Sequence, residues 1–197
     1  MKPLSLSILL FLLTLPSLAL AGTYEEADQA YEDGDYEKAK EILIPLAENG
    51  HAKAMNLLGL MHSKGKGYPR CRTKACNWYE KAANAGYASG QGNLALCYME
   101  GDGRDKDEEK GLFWHKKAAL NGRERSQISL FTYYSDKNNR SEAQKWISMA
   151  MASGSTSARV GGWVLGHQNT GAPISVKEVA CFYAMNVILQ KPWDYCD

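Results

Sequence analysis

Apolar and small residues recur along this chain in a helical rhythm, and the rhythm itself repeats. Ala52, Ala54, Leu57 and Leu58 fall at helical spacing, followed by Gly59, His62 and the loop Gly65-Lys66-Gly67. The same columns, 36 residues on, hold Ala88, Gly90, Asn93 and Leu94, then Ala95, Tyr98 and Gly101-Asp102-Gly103. Small residues at Gly59 and Ala95 predict helices that approach closely. A second helix follows each loop, beginning near Arg72, Glu108, Ser141 and Ser175. Each carries an aromatic column, with Trp78-Tyr79, Trp114-His115, Trp146-Ile147 and Phe182-Tyr183 separated by 36, 32 and 36 residues. A fixed period in the thirties marks stacked helical hairpins, each unable to bury its apolar face alone. This pattern places the tryptophans in the core.

The period divides the chain into five units at about 24–50, 51–86, 87–122, 123–154 and 155–197. The first four close on Gly50, Gly86, Gly122 and Gly154, where positive φ stops a helix without strain. The fourth has lost its Gly-x-Gly loop, which makes it the least regular. Two stretches repeat almost as text: Trp78-Tyr79-Glu80-Lys81-Ala82-Ala83-Asn84-Ala85-Gly86 and Trp114-His115-Lys116-Lys117-Ala118-Ala119-Leu120-Asn121-Gly122.

These residues resemble the Sel-one-like repeat (SLR), a relative of the tetratricopeptide repeat. Units two and three carry the resemblance strongly, the first is closer to a plain tetratricopeptide hairpin, and the last two have drifted. Cys71 stands where the pattern has the Asp that Asp107 keeps, and His62 stands in place of Tyr. The resemblance implies an all-α fold, an α/α solenoid coiling as a right-handed superhelix of about five hairpins, with the first helices lining a concave face. It also implies an adaptor, scaffold or regulator that holds protein or peptide partners, and no reaction.

The ends and the charge narrow this reading. Lys2 precedes an apolar run over Leu4–Leu15 that closes on Ala19-Leu20-Ala21, the layout of a cleaved secretory signal over residues 1–21. Its apolar run is shorter than the ~20 residues that span a bilayer, so no membrane span is expected after cleavage. The remaining 22–197 then form a single periplasmic or secreted domain of the bacterial envelope. Loss of Lys2 leaves 22 basic against 22 acidic residues, without the basic surplus of a nucleic-acid binder.

Candidate chemistry is sparse. The acids of Gly101-Asp102-Gly103-Arg104-Asp105-Lys106-Asp107-Glu108-Glu109 are interrupted by cations and occupy the inter-helix turn, so Asp107 reads as a helix cap and not as a calcium ligand. The four histidines form no metal-ligand pair, and no nucleophile elbow, P-loop or dinucleotide fingerprint occurs. Neither a cofactor nor a metal is expected. Five cysteines suit an oxidising compartment, and the odd count leaves one thiol over. The expected order is Cys181–Cys196 as a cap on the last helix, then Cys76–Cys97 at similar height in adjacent units, with Cys71 left free.

If the first helices line the binding face, its columns follow from the period. One is Lys53, Ser89, Arg125 and Ser157. The second is Asn56, Gly92, Ile128 and Val160, and the third Leu60, Leu96, Thr132 and Val164. Such a surface suits an extended peptide with an acidic or polar component, although Leu60, Leu96, Ile128 and Val164 are equally suited to packing. The leading expectation is an exported protein–protein interaction module without catalysis. The alternative is an exported hydrolase or thiol enzyme on the same scaffold, with Cys71 as its reactive group.

Overall fold

A computed structural model describes residues 22–154. Its elements are eight α-helices among the described residues: α1 Tyr24–Glu32, α2 Tyr36–Glu48, α3 Ala52–Lys64, α4 Arg72–Asn84, α5 Ala88–Glu100, α6 Glu108–Leu120, α7 Glu124–Asp136 and α8 Arg140–Ala152. Side-chain caps begin several of them. Thr23 and Glu26 form a reciprocal capping box on α1, and Asp35, Asp107 and Asn139 accept the backbone N–H of Lys38, Lys110 and Glu142. The Asp107 cap is the one expected from sequence. His51 caps α3 through Nδ1, 3.2 Å from the Ala54 nitrogen.

Consecutive helices pack as antiparallel hairpins, and each hairpin packs on the next. First helices also meet across the stack, α1 touching α3 and α3 touching α5. The architecture is an all-α solenoid of hairpins, as the period required. Gly50, Gly86, Gly122 and Gly154 all have φ between 82° and 88°, so each expected helix stop takes the left-handed conformation.

Loop length explains the uneven period. Residues 65–71 join α3 to α4 and residues 101–107 join α5 to α6, whereas residues 137–139 alone join α7 to α8. The four residues missing from that turn are the four missing from the 32-residue step. Asn138 makes the tight turn with φ 54°, a left-handed value that Asn tolerates better than most side chains.

Close approach within a hairpin depends on one small pair. A Cβ on Gly59 would meet the buried Tyr79 ring at 2.6 Å and the Ala75 carbonyl oxygen at 3.2 Å. In the following hairpin the glycine changes helix: Gly111 of α6 lies against Ala95 of α5, its Cβ position 3.3 Å from the Ala95 carbonyl oxygen.

The aromatic column is only partly core, which corrects the sequence reading. Tyr79, His115 and Ile147 are buried, as is Trp146, but Trp78 and Trp114 are partly exposed. Each of those two packs on the cluster of preceding helices, Trp78 against residues of α1–α3 and Trp114 against residues of α4 and α5. Successive residues on a helix point about 100° apart. One member of each pair therefore fills its own hairpin while the tryptophan covers the seam to the previous one, with Lys81 and Lys117 over the rings.

Candidate binding cleft on the first-helix face

Cys76 and Cys97 form a disulfide between α4 and α5, with Cα atoms 6.1 Å apart. It links the second helix of one hairpin to the first helix of the next, the pairing expected from their height in the stack. Cys71 is a free, partly exposed thiol at the N-cap of α4, where it makes no side-chain cap hydrogen bond. The proposed Cys181–Cys196 pair lies outside the described residues.

The acidic loop has structural tasks. Arg72 donates through Nε to Asp102 and through Nη1 to Ser63, which ties the loop after α5 back to α3 and α4. Arg104 lies over the Tyr98 ring and pairs with Glu80. Among the described residues, no three acidic, histidine or cysteine side chains gather as a metal site.

A cleft of about 890 Å³ opens between α5 and α7, with His115 of α6 in its wall. Leu96, Met99 and Ile128 give it an apolar stretch. Arg123 and Arg125 stand at the N-terminal end of α7, and Tyr133 and Asp136 at the other end. Of the groove residues expected from sequence, Leu96, Arg125, Ile128 and Thr132 line this cleft. Lys53, Asn56, Leu60 and Ser89 do not. Leu60 packs on the core of the first units, and exposed Lys53 sits over the Tyr24 ring. Ser157, Val160 and Val164 lie outside the described residues.

Asn56 belongs to a polar ladder along this face. Asn93 Nδ2 donates to Asn56 Oδ1 at 2.9 Å, and Arg123 Nη2 donates to Asn93 Oδ1 at 2.7 Å. The ladder crosses from α3 over α5 to the start of α7. Gly92 makes room for its last rung, because a Cβ there would fall on the Arg123 guanidinium. A glycine inside a helix costs roughly 1 kcal/mol relative to Ala, and here the cost accompanies a guanidinium lying against the α5 backbone.

Arg123 was missed in the sequence, where its column reads His51, Tyr87, Arg123 and looks aromatic. The signal was the mid-helix Gly92 in a column otherwise filled by Asn56 and Ile128. Burial, with Arg125 nearby, lowers the guanidinium's proton affinity. Behind it His115 is buried, its Nδ1 3.3 Å from Ser126 Oγ. Burial first and the Arg123 charge second push its pKa down to about 4, so the imidazole is neutral at ordinary pH. His62 is likewise buried, stacked on Tyr68 with ring centroids 4.0 Å apart. Both histidines pack as the aromatic columns implied.

Hairpins stacked in this way define a helical-repeat scaffold, with first helices adjoining along one face. The chain carries two Sel1 repeats, at residues 52–87 and 88–122, and repeats of this kind are generally protein–protein interaction modules. A Sel1 repeat protein from Oxalobacter formigenes has a similar structure, with TM-score 0.70 and 26% identity over 83% of this chain and 66% of that one. A protective antigen of uropathogenic Escherichia coli displaying an SLR fold is similar at TM-score 0.64 and 24% identity, over 84% of this chain and 40% of the other. The chain thus spans just under two thirds of the first and well under half of the second. No curated protein matches it.

Proposed function

We infer that this protein is an exported adaptor that holds an extended segment of another protein against the face formed by its first helices. The observation that carries this reading is the cleft between α5 and α7, whose lining includes Leu96, Arg125, Ile128 and Thr132. Apolar floor, hydroxyl groups and charged rims in one channel match what an extended peptide presents. Lys53, Asn56 and Ser89 would continue the contact toward the first hairpin, beyond the cleft itself. Export is supported by the Cys76–Cys97 disulfide, which belongs to an oxidising compartment, and by the signal-like pattern of residues 1–21. No described helix is long and apolar enough to cross a membrane.

Site-specific photo-crosslinking in intact cells tests the face. A crosslinker at Thr132 should trap a protein partner, whereas one at Leu120, exposed on α6 outside the cleft, should not. Trapping from Leu120 with none from Thr132 would move binding away from the cleft and end this reading.

A further inference from the structure

The geometry points to Arg123 as the specificity-determining residue of the cleft: it takes the carboxylate of an Asp or Glu side chain in an extended peptide whose neighbouring apolar side chain sits on Leu96, Met99 and Ile128. The inference rests on the cleft being the binding face and adds the chemistry of what binds there.

Three observations carry it. Arg123 forms no ion pair with a carboxylate among the described residues, although it is partly buried. A half-desolvated guanidinium without a counter-ion is costly unless an anion completes it. Its orientation is also set in advance. Gly92 lets it lie on α5 and Asn93 accepts from Nη2, leaving the remaining donors of the planar fork for a ligand. Of the acids lining the cleft, Glu100 is paired to Arg72. Asp136 is at the far end of α7, about 20 Å away at 1.5 Å per residue. Arg123 and Arg125 outnumber Glu124 at one end of the cleft, which leaves it net cationic there, and Asp136 makes the other end acidic.

The guanidinium lies against Gly92, which shares a repeat column with Ile128, so the acidic and apolar side chains of a ligand would enter the cleft at neighbouring levels. The ligand therefore presents an acidic and an apolar residue close together in one extended segment.

The test is selection of random octapeptides displayed on phage against the purified chain, followed by fluorescence-polarisation titration of the winners. Selected peptides should share an Asp or Glu close to an apolar residue, and Ile128→Asp should abolish their binding. Arg123→Gln keeps a donor for Asn93 and should select peptides that retain the apolar position and lose the acid. It should also weaken the original winners about tenfold or more, as expected for a lost charge-assisted bond. Gly92→Ala, which puts a methyl group where the guanidinium lies, should act in the same direction without altering helicity. Winners that Ile128→Asp abolishes but that carry no acid, or whose acid survives Arg123→Gln, would overturn the role of Arg123 and leave the cleft standing. Winners unaffected by Ile128→Asp would overturn the cleft itself.

Discussion

Reducing the Cys76–Cys97 bond should cost about 3 kcal/mol of stability. The bond closes a loop of 21 residues, and cross-linking a loop of that length removes about 11 cal/mol/K from the unfolded chain. Both sulfurs are buried, so added reductant reaches them only on opening; the comparison requires protein unfolded, reduced and refolded under reductant. A background of Cys71→Ser, Cys181→Ser and Cys196→Ser leaves this pair as the sole possible disulfide. In that background the reduced form should melt roughly 10 °C below the oxidised form, taking about 3–4 °C per kcal/mol for a domain of this size. Because the bond joins α4 to α5 across a hairpin boundary, its loss should also broaden the transition, as weakening one interface does in a stack held by nearest-neighbour contacts. The reasoning is refuted if the two forms melt within about 3 °C of each other, or if mass spectrometry of the oxidised protein finds both thiols free.

Cys71→Asp should stabilise the chain by about 1 kcal/mol, because the N-cap of α4 lacks the side-chain bond that Asp107 makes at the matching position of α6. An unchanged urea midpoint would show that the new carboxylate does not reach the Lys74 backbone N–H. The same variant should leave partner capture intact, which a thiol enzyme working through Cys71 would not. His115 gives a pH signature. Its pKa is about 4 when folded against 6.5 when exposed, so the unfolded chain binds the extra proton first as pH falls. Stability is then unaffected above pH 6.5, declines between 6.5 and 4, and levels off after a loss of about 3 kcal/mol. His115→Gln should flatten that slope relative to the parent, and equal slopes for the two proteins would exclude the histidine as its source.

Sequence exposed what packing repeats. Helix starts and glycine stops follow from columns that recur at 36 residues, since each buried position faces the same neighbours in successive units, and the Cys76–Cys97 pairing follows from the equal height of the two residues in adjacent units. Trp146 is core as expected, but Trp78 and Trp114 were misplaced because a 36-residue column records which helix face a residue occupies, not whether that face meets its own hairpin or the previous one. Trp78 and Trp114 lie on that boundary. The cleft was legible only by half. Leu96, Arg125, Ile128 and Thr132 fall where α5 and α7 part, whereas Leu60 in the same column as Leu96 is drawn into the core of the first units. Nothing in the period says where adjacent first helices separate enough to leave a cleft.

The contrast between two columns shows how such a chain divides structure from recognition. Gln91 and Gln127, 36 residues apart, each donate Nε2 to the carbonyl of the residue eight positions earlier, Ala83 and Ala119. Both are buried, and both lock a first helix to the end of the helix before it. The Ala83 and Ala119 carbonyls also accept the backbone N–H of Gly86 and Gly122, so the amide adds a second bond to a carbonyl already paired, and the same column holds Met55 one unit earlier. The columns His51, Tyr87, Arg123 and Asn56, Gly92, Ile128 have no such duty, and they change character at every step. Only His51 caps its helix; Tyr87 and Arg123 do not. Arg123 thus replaces neither a cap nor a core ring, and Gly92 gives up helix propensity beside it. Two departures from the repeat that are individually unfavourable fit together at one place, over the cleft, and that coincidence argues for a site where neither residue alone would.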